Sequence, residues 1–174
     1  MTDPLHLLIA YDGSDAAKEA IAVAAKLYGP HARATVLYAW EPLVMYAGGM
    51  GMAAPSFPTG GSEREEQDAV SLVEDGARHA AALGLEAEAR AVQTVAAPWR
   101  TIVDTAERDA ADLVVIGTRG LSGVRSLLMG SCSHHVAQHA VCPVLVVPDG
   151  EIRDARRAAA QAAADRSNGA LPGR

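Results

Sequence analysis

Apolar positions along the chain follow two patterns that alternate. Short, nearly continuous apolar runs are typical of strands covered on both faces in a parallel sheet. Between these runs, apolar residues recur every three or four positions, which is the spacing of amphipathic helices. Five strands and four helices are predicted: the strands at 5–11, 34–40, 86–95, 113–116 and 143–147, and the helices beginning at Asp15, Glu63, Pro98 and Ser131.

The first strand, helix and second strand form a predicted βαβ unit. Asp12-Gly13-Ser14 makes the turn after the first strand, and Ser14 is a good N-cap for the helix that follows. Such units are right-handed almost without exception, so this helix covers one face of the sheet. In the third strand, alanines alternate with charged residues. This alternation predicts that one face of the strand is exposed to solvent and that the strand lies at the sheet edge.

Two segments lack this regular pattern. Residues 42–62 are rich in glycine, proline and methionine and are predicted to form a long loop, either a mobile connection or a lid or partner surface. Residues 149–174 are rich in alanine and arginine and poor in large apolar residues, which predicts a helical or disordered tail. The domain proper is therefore assigned to residues 1–148.

Composition narrows the classes of function. The 174 residues are 49% hydrophobic, enough for one domain with a buried core, but they include only 2 Trp, 4 Tyr and 1 Phe. Stacking of nucleic-acid bases on an aromatic surface is therefore not expected. Acidic residues outnumber basic ones by 21 to 15, so we expect no cationic face for nucleic acid or anionic lipid.

Cysteine content and hydropathy indicate a cytoplasmic protein. Cys132 and Cys142 are too few for a disulfide framework, and no CxxC spacing suggests a metal or redox motif. No apolar run approaches the roughly 18 residues of a membrane span. The N-terminus also lacks the basic region of a signal peptide, so we expect no association with a membrane.

The segment 117–131 carries the clearest chemical signal. Gly117-Thr118-Arg119-Gly120 follows a buried strand and Gly130-Ser131 opens the next helix, which spells G-x2-G-x9-G-S. Glycines let main-chain amides approach a polyanion, and the free N–H groups and dipole of a helix N-terminus favour phosphate. The segment is therefore predicted to cradle an anion, although the same glycines are also compatible with simple turns.

Three side chains of this region can each be interpreted in two ways. Ser131 and Ser133 either offer hydroxyls to the phosphate or satisfy the first N–H groups of their own helix. Arg119 either lies beside the phosphates or is a surface arginine between two glycines.

These motifs resemble those of the universal stress protein family, in its ATP-binding subgroup. The resemblance rests on Asp12-Gly13-Ser14, on the 117–131 motif with its spacing, and on Cys142-Pro143-Val144 at the last strand, and it extends over 5–148. It implies a three-layer α/β sandwich, flavodoxin-like or Rossmann-like and of the nucleotide-binding α-hydrolase-like type. The implied sheet is parallel and five-stranded, with strand order 3-2-1-4-5.

The resemblance also implies an ATP site across the ends of the first and fourth strands, with Mg or Mn carried on the phosphates. Asp12 corresponds to the family's ribose or adenine contact, beside Ala10 and Tyr11, and Ala39 lines the adenine pocket. Asp12 alternatively forms an Asx-type turn at the start of its helix. The residues implied to border the nucleotide or contact its phosphates are Ile116, Gly117, Arg119, Gly120, Gly130, Ser131, Cys132 and Ser133.

Two positions depart from the family pattern. Ala96-Ala97-Pro98 replaces a turn that usually contains glycine, and Cys132 stands where the family often has an aliphatic residue. At a helix N-terminus, Cys132 is either a redox sensor with a depressed pKa or a small buried residue.

His134, His135 and His139 suggest a second hypothesis, a metal site, because His135 and His139 lie one helical turn apart. No adjacent glutamate completes an HExxH motif, and histidines on a half-exposed helix are common. No metal ligand is therefore assigned.

Binding is favoured over turnover. The chain has no GxxxxGK[ST] motif, and its two lysines, Lys18 and Lys26, lie in the first predicted helix. The turn after the first strand also differs from the HxGH and SGGxDS motifs of related folds that catalyse reactions. We expect an ATP-binding regulator of stress response or dormancy with slow or no hydrolysis. The alternatives are a nucleotide-independent protein-interaction module and a weak ATPase.

The resemblance further implies a homodimer through the last strand, 143–147. In the implied order this short apolar strand lies at a sheet edge, where an unpaired row of backbone groups would be exposed without a partner.

Overall fold

A five-stranded parallel sheet forms the centre of the molecule. The computed structural model describes residues 3–42, 60–118 and 130–168. The strands are β1 (Leu5–Ala10), β2 (Ala32–Trp40), β3 (Glu86–Gln93), β4 (Leu113–Gly117) and β5 (Val144–Val147). They are ordered β3-β2-β1-β4-β5 and every neighbouring pair is parallel. The predicted fold class and strand order are confirmed, with β3 and β5 at the edges.

Helices cover both faces of this sheet. They are α1 (Asp15–Tyr28), α2 (Gly60–Ala82), α3 (Pro98–Arg108), α4 (Ser131–His139) and α5 (Gly150–Asn168), and a short 3-10 turn follows α1 at Gly29–His31. Four of these helices match the predicted ones, although α2 begins three residues earlier than predicted. The fifth, α5, lies in the alanine- and arginine-rich tail, for which helix and disorder were both open. Within the described residues, no helix combines the length and apolar character that a membrane span needs.

Alternation along β1 divides the core into two apolar layers. Leu7 and Ile9 point to one face, where they pack in a buried cluster with residues of α1 and α2. Leu8 and Ala10 point to the other face, in a cluster with residues of α3 and α4. Because both faces of β1 are covered, its nearly continuous apolar run is what a central parallel strand requires. The carboxyl ends of β1, β2 and β4 consequently meet at one edge of the sandwich.

Candidate functional site

A cavity of about 280 Å³ opens where β1, β2 and β4 end. This is the edge at which open parallel sheets usually bind ligands. All ten of the predicted site residues that the structure describes line this cavity: Ala10, Tyr11, Asp12, Ala39, Ile116, Gly117, Gly130, Ser131, Cys132 and Ser133. The other two, Arg119 and Gly120, lie outside the described residues, as do residues 43–59 of the predicted loop.

Six further residues, which were not predicted from the sequence, also line the cavity: Ala17, Leu37, Tyr38, Pro98, Ile102 and Thr118. For two of them, the sequence itself indicates a place near the site. Leu37 and Tyr38 come near the end of the second strand, which a parallel order brings beside the first. Pro98 and Ile102 belong to α3, whose approach to the cavity depends on tertiary packing that a single sequence does not reveal.

One end of the cavity is apolar. Ala10, Leu37 and Ile116 belong to the apolar cluster beneath α3 and α4, and Ala39 packs against it. This end can therefore accept a flat apolar group.

The other end of the cavity is the N-terminus of α4. Gly130 is the N-cap, and among the described residues no side chain caps the helix there. The first N–H groups of a helix have no acceptor within the helix, and they carry the positive end of its dipole. Because Ser131 and Cys132 line the cavity, their N–H groups make this end suitable for an anion.

The start of α4 is fastened to the end of β4 by hydrogen bonds. The Gly130 amide donates to the Thr118 carbonyl oxygen at 2.6 Å. The Ser133 hydroxyl lies 3.2 Å from that same oxygen and 3.0 Å from the Gly130 carbonyl oxygen, so its one hydrogen is directed at main-chain carbonyls. Ser133 is 2% exposed. Its hydroxyl therefore positions the helix and does not cap the first N–H groups.

Asp12 shapes the turn between β1 and α1. The Ser14 amide donates to Asp12 Oδ1 at 3.0 Å, which is an Asx turn, and the Ser14 hydroxyl oxygen accepts from the Ala17 amide at 3.2 Å as the N-cap. Asp12 also brings negative charge to the cavity. Burial raises the pKa of the neighbouring Tyr38, and the Asp12 charge raises it further. The Asx turn, one of the two interpretations of Asp12, is present, and Asp12 also lines the cavity.

Gly117 is needed for packing as well as for access to the cavity. A Cβ on this residue would lie 2.9 Å from three atoms of Ala16 in the first turn of α1. The sequence alone indicates two alternative roles for Gly117, in an anion cradle or in a turn. The close approach of α1 is a third requirement, and it depends on tertiary structure.

The Cys132 thiol is held in its neutral form. Burial raises its pKa to about 11, and the nearby Asp12 carboxylate raises it as well. Cys132 packs against the apolar cluster beneath α3 and α4, where the loss of hydration disfavours the charged thiolate. The hypothesis of a redox sensor with a depressed pKa is therefore wrong, and Cys132 is a partly buried cavity residue.

Two of the three α4 histidines, His135 and His139, stack on the ring of Trp99. The Trp99 ring centroid lies 5.2 Å from that of His135 and 4.9 Å from that of His139, with both pairs nearly parallel. His135 Nδ1 lies 2.7 Å from the Ser131 carbonyl oxygen, which accepts its hydrogen. In the described part of the chain, no three His, Cys, Asp or Glu residues are arranged to hold a metal ion. These imidazoles therefore join α3 to α4 by stacking.

Comparisons with known proteins agree with this architecture. The model of the universal stress protein family matches residues 5–148. A universal stress protein of Thermus aquaticus is 39% identical over 142 residues, which cover 81% of this chain and 96% of that protein.

Three solved structures share the fold. The universal stress protein UspA from Lactobacillus plantarum aligns with a TM-score of 0.65 and 24% identity, covering 84% of this chain and 99% of that one. A universal stress protein in complex with cAMP aligns with a TM-score of 0.59 and 24% identity, covering 86% and 100%. An Arabidopsis thaliana family protein with AMP bound aligns with a TM-score of 0.57 and 16% identity, covering 84% and 93%. From the family match and the identity to the Thermus protein, the chain is a member of the universal stress protein family.

Proposed function

We propose that the chain binds an adenine nucleotide, ATP, in the cavity at the ends of β1, β2 and β4. The observation that carries this proposal is the uncapped N-terminus of α4 at one end of a cavity whose other end is apolar. Two structural neighbours are described as complexes with cAMP and with AMP, which supports an adenine nucleotide as the ligand.

The chemistry of the lining fits the parts of such a nucleotide. The apolar end suits the adenine base, and the Asp12 carboxylate suits the hydroxyls of a ribose. The amides of Ser131 and Cys132 would donate to phosphate oxygens, and Arg119, Gly120 and Gly130 would lie beside the phosphates. A Mg or Mn ion would be carried on the phosphates, because no metal-holding cluster is found among the described residues.

Regulation is favoured over catalysis. Phosphoryl transfer needs a cation at the γ-phosphate and a group that activates the nucleophile. Lys18 lies on the exposed side of α1, where its Nζ is 3.5 Å from Asp15 Oδ1. We therefore propose a nucleotide-dependent regulator of stress response or dormancy that hydrolyses ATP slowly or not at all. Its proposed location is the cytoplasm.

The proposal includes a homodimer through β5. This strand lies at the sheet edge, its residues Val144, Leu145 and Val146 are only half-buried, and Val141 just before it is 67% exposed. Pairing with a second β5 would cover these side chains and satisfy the outer backbone groups. Solution scattering at micromolar concentration tests this, because a monomer there would overturn the dimer.

A domain of residues 1–148 and a separate tail of 149–174 are also part of the proposal. The Arg153 side chain in α5 forms an ion pair with Glu19 of α1, which ties the start of the tail helix to the domain. Further along α5, side chains 157–166 are exposed.

Analysis of bound small molecules tests the proposed ligand. Protein purified without added nucleotide is denatured, and the released compounds are identified by mass spectrometry. The Gly130→Val variant should lose the adenine nucleotide, because Gly130 has an extended backbone (φ −69°, ψ 159°) that valine can adopt while filling the cavity wall. Gly150→Ala is the matched control, since a Cβ there meets only Arg153 Nη2, at 3.7 Å.

The outcomes separate the candidate functions. An adenine nucleotide in the wild type and the control, but not in Gly130→Val, supports the proposal. A wild type that releases none and also fails to bind added ATP with Mg2+ contradicts it and favours a nucleotide-independent interaction module. Steady ATP turnover that is abolished in Ser131→Ala or Asp12→Ala would instead favour a weak ATPase.

A further inference from the structure

Thr118 follows β4 directly and carries a buried hydroxyl with no partner. The residue is 7% exposed. Among the residues that the structure describes, its Oγ1 is buried and makes no hydrogen bond. Native proteins pair nearly all such groups, because a buried unpaired hydroxyl has lost its hydration without gaining a bond. Within the described residues, the Thr118 hydroxyl therefore still needs a hydrogen-bond partner.

The direction of the Thr118 side chain follows from its neighbours in β4. Successive residues of a strand point to opposite faces. Gly117 faces α1, since a Cβ there would meet Ala16. Thr118 accordingly faces the side of α3 and α4, as does Ile116, and both residues line the cavity.

The main chain of Thr118 is fixed beside the N-terminus of α4. Its amide donates to the Val147 carbonyl oxygen at 2.8 Å, and its own carbonyl oxygen accepts from the Gly130 amide at 2.6 Å. The Ser133 hydroxyl lies 3.2 Å from the same carbonyl oxygen. Thr118 is thus tied to the residues whose N–H groups make the polar end of the cavity.

We propose that the Thr118 hydroxyl donates a hydrogen bond to a phosphate oxygen of the bound nucleotide, beside the amides of α4. This inference rests on the proposed function. A threonine hydroxyl suits the task because its hydrogen rotates freely and the residue lines the cavity beside the start of α4. Thr118 then contributes specificity for phosphate. The unpaired hydroxyl destabilises the protein without nucleotide, and the bound phosphate supplies the acceptor that this hydroxyl lacks.

Two variants separate the hydroxyl from the shape of the side chain. Thr118→Val keeps the shape and removes the hydroxyl, whereas Thr118→Ser keeps the hydroxyl. Titration calorimetry of each variant and the wild type with ATP and with adenosine measures the contribution to phosphate binding. We expect Thr118→Val to bind ATP about tenfold more weakly, with unchanged affinity for adenosine, and Thr118→Ser to bind both as the wild type does.

Thermal unfolding without nucleotide provides a second readout. Since valine removes an unpaired buried hydroxyl, Thr118→Val should unfold about 2–4 °C above the wild type while binding ATP less well. A purely structural role for the hydroxyl would lower the unfolding temperature of Thr118→Val instead, and that result would overturn the inference.

The remaining outcomes are also decisive. The inference is overturned if Thr118→Val binds ATP as tightly as the wild type, or if it loses affinity for ATP and adenosine equally. In both cases the wild type still binds ATP, so the proposed function stands. A wild type with no affinity for ATP removes both the proposed function and this inference.

Discussion

Gly117 and Ala16 are packed so closely that a Cβ on Gly117 would lie 2.9 Å from the carbonyl carbon, the carbonyl oxygen and the Cβ of Ala16. Ala16 lies in the first turn of α1, so this contact holds the start of α1 against the end of β4. Ala17 of α1 and Gly117 of β4 both line the cavity. The glycine therefore sets the spacing of one cavity wall.

Replacing Gly117 should destabilise the fold. Gly117→Ala introduces a Cβ into main-chain atoms of α1 that cannot rotate away, and overpacking of this kind costs about 1–3 kcal/mol. Urea denaturation measures the free energy of unfolding. Gly150→Ala, whose Cβ has ordinary contacts, should change it by less than about 0.5 kcal/mol. Equal stability of Gly117→Ala and the wild type would show that α1 can shift at no cost.

A buried polar chain below the cavity should contribute to stability and not to ligand binding. Thr35 donates its hydroxyl hydrogen to Glu88 Oε1 at 2.8 Å, so Thr35 Oγ1 accepts from His6 Nε2 at 2.9 Å. His6 and Thr35 are 4% and 0% exposed. Thr35→Val leaves the His6 N–H without an acceptor, and we expect a loss of about 1–3 kcal/mol in the free energy of unfolding.

Thr35→Ser is the matched control for this chain, because serine retains the hydroxyl and should recover most of the loss. ATP affinity should be unchanged in both variants, since neither His6 nor Thr35 lines the cavity. A Thr35→Val protein as stable as the wild type would mean that the His6 ring finds another acceptor.

Cys132 should react slowly with thiol reagents and gain reactivity only in alkali. Its pKa of about 11 leaves a very small thiolate fraction at pH 8, and the thiolate is the reactive form. Alkylation by iodoacetamide, followed by mass spectrometry, should accelerate steeply between pH 9 and the pKa. Fast alkylation at pH 7 would contradict the burial of this thiol.

The Asp12 charge makes a separate prediction for the same thiol. Because the Asp12 carboxylate raises the pKa of Cys132, Asp12→Asn should lower that pKa and speed alkylation at pH 9. Asparagine also keeps an oxygen for the Ser14 amide, so the Asx turn should persist. An unchanged alkylation rate would show that burial alone controls the thiol.

The strands, the helices and the site edge follow from the sequence because apolar runs, turn residues and the 117–131 motif all act locally, whereas the strand order is implied by the resemblance to the family. The role of Gly117 in packing, the hydroxyl bonds of Ser133 and the unpaired Thr118 hydroxyl do not follow from the sequence. Each depends on atoms brought together from distant parts of the chain, such as Ala16 against Gly117 and Thr118 against Gly130. The same applies to Cys132, whose helix position suggests a low pKa although burial raises it.

The most direct test of phosphate binding at α4 is the response of its amides to nucleotide. In two-dimensional 15N–1H spectra, ATP with Mg2+ should shift the amide resonances of Gly130, Ser131 and Cys132, and adenosine should shift them much less. The spectra contradict the proposed site if saturating ATP leaves these three resonances in place while other resonances move.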